Sequence, residues 1–412
     1  MLDNGLRLIV WPDRAIPNVA LNNWIRVGSR NERAGITGLA HFCEHMMFNG
    51  TAKFASGEFD RLLEAHGGSN NAYTSDDVTV YQEWFPASAL ELVFELEADR
   101  LANLKFTPAM LETERRVVQS ERRLHVDDSN AGTLSERVQA AAFRVHPYRF
   151  PTIGWSRDIR AWRRPHLERF FHTYYAPNNQ TLVMVGDVSV RQAARLARQW
   201  LGRIPRRRAP PPVRRREPEQ LAERRVSLRR AGQTPLLQYA YKAPAVRSAR
   251  ANALRLLIAA LVEGNGSRLH RVLVDERKLA VEVGGGWHEG FDPSLLWFHL
   301  VLPEGGDPRA AAAVLDGELE YVAAHGVSEQ ELARAKNLAA AQYWRQLSTI
   351  DGKAQLLGEY AVLRGDWRLL FAAPAHTAAV TRAQVTAVAR TVLDRRRRTV
   401  GSLEPRARRR RR

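Results

Sequence analysis

Three chemically demanding side chains share one face of a short apolar stretch. In Gly38-Leu39-Ala40-His41-Phe42-Cys43-Glu44-His45-Met46-Met47-Phe48-Asn49-Gly50-Thr51 the periodicity predicts a helix that Asn49-Gly50 stops. At about 100° per residue, Glu44 falls about 60° to one side of His41 and His45 about 40° to the other, while Cys43 turns away into packing. Two imidazoles at i and i+4 can grip one tetrahedral Zn2+, and a carboxylate between them can reach a water at the ion without ligating it. The order H-x-x-E-H is the inverted zinc-peptidase signature. The plainer reading is an ordinary core helix, but burying two imidazoles and a carboxylate unpaired would cost several kcal/mol. A metal ion would compensate for that burial.

A catalytic zinc takes three protein ligands and a water, so one further carboxylate or imidazole is required. The helix predicted from Thr107-Pro108 to about His125 offers Glu112, Glu114 and Glu121. Glu114 and Glu121 are seven residues apart and nearly superposed on one face, with Val117 and Val118 on that side. From the residues alone, an ordinary solvated helix with Glu–Arg pairs explains this segment equally well.

The elements around these two helices mix strands and helices without strict βαβ alternation, which places the fold in the α+β class. Strands are predicted at 5–12, 18–27, 71–74, 78–85 and 180–187, and helices at 57–65, 86–104, 135–143, 164–174 and 189–201. The second half repeats this order: a strand at 237–241, helices at 249–262 and 267–275, strands at 281–287 and 295–301, then helices at 309–324 and 328–350. The repeat lies in element order, not residue identity, and reads as a degenerate duplication. Gly264-Asn265-Gly266 reads as a turn. The expected domains are 1–204, carrying the H-x-x-E-H site, an Arg/Pro-rich linker at 205–218, a second domain without metal at 219–405, and a basic tail at 406–412.

A chain of 412 residues suits two such domains, and 45% hydrophobic and 8% aromatic residues indicate globular cores. No apolar run reaches the length of a membrane span. The opening residues show no signal-peptide pattern. Asp3-Asn4-Gly5 looks like a hairpin turn whose first strand would precede Met1, so a trimmed or late start is expected. One cysteine leaves the redox compartment open. The charge of +18 is concentrated in the runs Arg206–Arg216, Arg395–Arg398 and Arg406–Arg412, without interleaved aromatics, which reads as solvated charge and argues against nucleic acid.

The chain resembles the pitrilysin/insulinase family of inverted-motif zinc peptidases, in particular half-length members similar to the mitochondrial processing peptidase and its bacterial relatives. The likeness is carried by Leu2-Asp3-Asn4-Gly5-Leu6, Val27-Gly28-Ser29-Arg30-Asn31-Glu32, the 38–48 helix, Asn71-Ala72-Tyr73-Thr74-Ser75 and Tyr174-Tyr175-Ala176-Pro177-Asn178-Asn179, and it spans nearly the whole chain. The resemblance implies two homologous LuxS/metallopeptidase-like domains, each a mainly antiparallel sheet flanked by helices. It implies one Zn2+ per chain on His41, His45 and Glu121, the last 76 positions beyond His45. It further implies Glu44 as general base, Glu114 as support for the site, and Asn71 and Ala72 as backbone partners of an extended peptide.

Larger family members close four such halves around a chamber, and the fourth supplies an Arg and a Tyr seven positions apart. The matching positions here are Val274 and Val281, so a second family subunit is expected to provide that pair, which disfavours a strict homodimer. A non-catalytic scaffold subunit is the alternative reading. The compartment stays open between bacterial periplasm and cytoplasm.

Overall fold

A computed structural model describes residues 1–232 and 234–406. Strands are β1 Arg7–Pro12, β2 Asn18–Ile25, β3 Ser69–Thr74, β4 Thr79–Pro86, β5 Gln180–Gly186, β6 Arg224–Ala231, β7 Leu236–Ala243, β8 Glu282–Trp287, β9 Ser294–Val301 and β10 Arg398–Arg406. Helices of the first half are α1 Leu39–Met46, α2 Glu58–Ala65, α3 Leu90–Asn103, α4 Pro108–Arg122, α5 Asn130–Ala142, α6 Ser156–Ala161, α7 Arg164–Tyr174 and α8 Val190–Trp200. Those of the second are α9 Ala251–Val262, α10 Arg268–His270, α11 Pro308–His325, α12 Glu329–Gln346, α13 Ile350–Gly358, α14 Leu369–Ala378 and α15 Arg382–Val392.

The two sheets have one topology. The first runs β1-β5-β2-β4-β3 and the second β6-β10-β7-β9-β8. In each, the outer pair is parallel (β1 with β5, β6 with β10) and the other three pairings are antiparallel. The expected α+β duplication of mainly antiparallel sheets flanked by helices is therefore present, down to strand order.

The compact units are not contiguous in sequence. One comprises Met1–Arg122, Phe150–Arg215 and Arg345–Leu370; the other Arg123–Arg149, Arg216–Trp344 and the chain from Phe371. In the first unit α13, which comes from the second half of the sequence, lies across β2 and β5. Gly358 permits this approach, because a Cβ there would stand 2.0 Å from Trp24 Nε1. In the second unit α5, from the first half, covers β6, β7 and β10. It places Leu134, Val138 and Ala142 against Leu236, Ala240 and Leu403, with Gly401 beneath Val138. Each sheet thus has both faces covered, which is why β2, β5 and β7 are buried along almost their whole length instead of alternating.

Several local readings need correction. The strands β6 and β10 and the helices after Ile350 lie in stretches that the sequence pattern left unassigned, and the expected helix 328–350 is broken between Gln346 and Ile350. The run Arg395–Arg398 is not wholly solvated: Arg398 is 1% exposed and donates to Asp316 Oδ1 (2.7 Å), Glu223 Oε2 (2.6 Å) and the Tyr241 hydroxyl (3.2 Å). Within the linker, Arg207 donates to the carbonyls of His172 (3.3 Å) and Tyr175 (3.2 Å). Near the linker's end, Glu217 accepts from the amides of Arg144, Val145 and His146. Arg406 closes β10, and the rest of the expected tail lies outside the described residues. The Asp3–Gly5 turn feeds a strand whose partner is β5, and Asn4 ties it to the carbonyls of Leu201 (2.8 Å) and Ile204 (2.9 Å). Among the described residues no helix is long and apolar enough to cross a membrane.

Candidate metal centre

The loop before α1 is pinned by two buried carboxyl groups. Glu32 accepts from the amides of Gly38 (2.6 Å) and Ala40 (2.7 Å), satisfying donors that the first turn of α1 would leave unpaired. Asp158 accepts from the amides of Gly35 (3.1 Å) and Thr37 (3.3 Å) and from the Thr37 hydroxyl (2.7 Å). Gly38 caps α1 at φ +86°, and a Cβ there would meet the Ile153 carbonyl at 2.6 Å. The underside of the helix, Leu39, Ala40, Phe42, Cys43 and Met46, is wholly buried, with Phe42 stacked on Trp162 at 4.5 Å between ring centroids. Packing on one side therefore fixes what the other side presents.

That other side carries His41, Glu44 and His45, and α4 brings Glu114 and Glu121 against it. His41 Nε2 and His45 Nε2 stand 3.3 Å apart; Glu121 Oε1 is 3.5 Å from the first and Oε2 is 3.4 Å from the second. Two nitrogens and a carboxylate thus converge on one point. Ligands about 2.0–2.1 Å from a tetrahedral zinc lie roughly 3.3 Å from one another, so this donor set fits the ion in spacing as well as in type. Among the described residues it is the one group of three His, Cys, Asp or Glu side chains with that convergence.

Glu114 stands behind this group. Its Oε1 lies 2.8 Å from His45 Nδ1, and its Oε2 accepts from Asn49 Nδ2 at 3.1 Å. With Nδ1 serving as donor, the Nε2 lone pair of His45 is left for the site. Burial, then the neighbouring His45, pushes His41 down to about 4. Burial also opposes protonation of His45, but its hydrogen bonds to Glu114 and Glu121 outweigh that and raise it to about 9. Glu114 is held below the usual carboxylate range, chiefly by the same bond to His45. Burial raises Glu44, and the hydrogen bond from Thr74 partly offsets the rise.

The structure thus brings His41, Glu44, His45, Glu114 and Glu121 together. Asn71 and Ala72 lie on β3, the edge strand of the first sheet, which packs against α1, and are paired in register with Gln82 and Tyr81 of β4. Strand alternation turns Ala72 and Thr74 toward the α1 side, while Tyr73 turns to the opposite face and accepts from Gln355 of α13. The Ala72 amide donates to the side chain of Asn71 at 2.9 Å.

Glu32 and Thr74 stand in the sequence only as members of the motifs that carry the resemblance and Asn49 only as a helix stop, without a part in the site. Asn49 lies four residues after His45, just beyond the end of α1, where its side-chain amide also donates to the His45 carbonyl (3.3 Å); the partners of Glu32 and Thr74 become apparent only in the folded chain.

In the second unit α9 follows β7 as α1 follows β2, yet α9 carries no histidine or acid and is buried on nearly every side. Val274 is partly buried against that unit's core, and Val281 is exposed.

Residues 11–155 match the family model for insulinase (peptidase family M16), and residues 161–339 match that for the peptidase M16 inactive domain. The zinc protease PqqE of Helicobacter pylori is 30% identical over 370 residues, 88% of this chain and 82% of that protein. An uncharacterised zinc protease of Mycobacterium tuberculosis is 30% identical over 401 residues, 96% and 90% of the two chains. Among solved structures, a protease from Helicobacter pylori superposes with a TM-score of 0.95 at 27% identity over 98% of both chains. The periplasmic protease PqqL of Escherichia coli shares the fold with a TM-score of 0.78 at 21% identity, covering 98% of this chain and 47% of that one.

Proposed function

Because this chain belongs to the insulinase (M16) family of peptidases, we propose that it is a zinc-dependent endopeptidase acting on extended peptides or unfolded segments. The observation that carries this reading is the convergence of His41 Nε2, His45 Nε2 and the Glu121 carboxylate within 3.5 Å of one another, with Glu44 on the same helix. These three residues would hold one zinc ion per chain. Zinc bound there supplies Lewis acidity, making a nearby water easier to deprotonate and a scissile carbonyl more electrophilic.

Glu44 takes a proton from the water as its oxygen attacks the carbonyl carbon, then delivers it to the amine as the C–N bond breaks. Its burial favours proton uptake, which suits a base that must also act as an acid. Glu114 holds His45 in one tautomer and one orientation, and Asn49 holds Glu114. The open edge of β3 suits an extended peptide added as a further strand, docking along the Asn71–Ala72 stretch, where the Ala72 amide that now turns to the Asn71 side chain would turn to the peptide.

The chain spans about half of PqqL, in keeping with a clamshell completed by a second subunit. On the resemblance, Val274 and Val281 fall at the positions of the Arg/Tyr pair, which favours a distinct family member as that subunit, giving a heterodimer, over a second copy of this chain. Elemental analysis of the purified protein separates a peptidase from a scaffold subunit. One zinc per chain, lost together with peptide cleavage on chelation, supports the peptidase; a chain that neither retains nor takes up zinc refutes it.

A further inference from the structure

We propose that Thr74 is a positioning residue for the general base, and that its hydroxyl fixes the direction in which Glu44 presents its carboxylate; this rests on the peptidase reading above. Thr74 is the last residue of β3, and its hydroxyl donates to Glu44 Oε2 across 30 positions of sequence. Glu44 is 9% exposed, so little solvent competes for that oxygen.

The ionised Glu44 carboxylate can only accept, which makes the Thr74 hydroxyl the donor of the bond between them. Thr79, the register partner of Thr74 on β4, lies 3.2 Å away, oxygen to oxygen, but donates its own proton to the Val27 carbonyl at 3.0 Å. The Thr79 oxygen is left as a neutral acceptor, and the charged carboxylate, which forms the stronger bond, draws the Thr74 proton to Glu44.

Its own place is fixed from both sides. Tyr73 is anchored on the far face of the sheet by Gln355 (2.9 Å) and by edge-to-face contact with Trp24. Ser75 closes the β3–β4 turn, its amide donating to the Val78 carbonyl (2.8 Å) and its hydroxyl oxygen accepting from the Asp77 amide (3.2 Å). A hydroxyl held by two rigid strands removes rotamer freedom from the base before substrate arrives, the condition for efficient proton transfer. One strand would then both dock the peptide and aim the base.

Thr74→Val keeps the shape and the β-branch while deleting the hydroxyl; Thr74→Ser keeps the hydroxyl. With zinc content verified, Thr74→Val is expected to lower kcat on a quenched-fluorescent peptide about 10- to 100-fold. KM and bound zinc should stay within about twofold, and Thr74→Ser should recover kcat to within about threefold of wild type.

An arm independent of turnover uses protein labelled with 13C at the glutamate carboxyls. The Glu44 resonance, assigned by its absence in Glu44→Gln, moves in Thr74→Val and stays in Thr74→Ser. An unmoved resonance together with wild-type kcat in Thr74→Val overturns the proposal, as does a Thr74→Ser enzyme as impaired as Thr74→Val. If the wild type cleaves no peptide, the peptidase reading fails, while the carboxyl resonance still decides the role of Thr74.

Discussion

His45 Nδ1 lies 2.8 Å from the Glu114 carboxylate, so the ring's other nitrogen is turned toward His41 and Glu121 by a residue that does not itself join the donor set. Such outer partners set ligand orientation and basicity and typically contribute 10- to 100-fold in metal affinity. Glu114→Gln is expected to weaken zinc binding by about that factor, measured by competition with a chromogenic chelator. Asn49→Ala, which frees Glu114 on one side, should show a smaller loss in the same direction.

The zinc affinity should depend on pH through His45. In the metal-free protein this imidazole is protonated up to about 9, while His41, depressed to about 4, is neutral at physiological pH. Zinc must therefore displace about one proton, and affinity should rise about tenfold per pH unit through the neutral range and level off above about 9. Calorimetry at pH 7.5 in buffers of different ionisation enthalpy checks this, with about one proton released per zinc expected. For the metal-free fold the raised His45 value stabilises fully below the ordinary histidine value of 6.5 and is lost as pH climbs through about 9.

Ligand and base should separate experimentally. Glu121→Gln removes one of three converging donors and should lose most bound zinc, seen by elemental analysis after dialysis against a weak chelator. Glu44→Gln preserves shape and leaves the donors in place, so zinc should remain while turnover falls by about a thousandfold or more.

In the second unit the stability question centres on Arg398. Its guanidinium is 1% exposed and bridges Asp316 and Glu223, so Arg398→Ala removes the buried cation and leaves these carboxylates only the more exposed cations Arg395 and Arg225. A loss of about 1.5–3 kcal/mol is expected, the range for hydrogen bonds to charged groups, read as a lower urea midpoint by circular dichroism.

What could be read from the sequence follows from what each residue's partners are. His41, Glu44 and His45 declare themselves because three costly polar groups fall on one face of an apolar helix. α7 and α8 were readable within a residue of their ends because the amphipathic period agrees with a local start signal, Pro165 in the first turn of α7 and the Ser189 cap of α8. Glu121 came from the family resemblance, since spacing alone leaves several acids on α4 equivalent.

Thr74 and Glu32 stand within motifs that carry the resemblance, but a threonine in a strand and an acid in a loop show no periodicity, and their partners are set by tertiary structure. The exchange of α5 and α13 was equally hidden. Periodicity shows that a helix has an apolar face but not which sheet covers it. Arg398 was misread for the same reason, because its partner Asp316 lies 82 positions upstream.

The most direct test is cleavage of a reduced, unfolded protein by the native zinc-loaded assembly, with products identified by mass spectrometry for wild type and Glu44→Gln side by side. New internal cleavages that vanish with a chelator, return with zinc and are absent from Glu44→Gln are the predicted result. Cleavage by Glu44→Gln at the wild-type rate, or a zinc-loaded wild-type assembly that cuts nothing, would contradict the account.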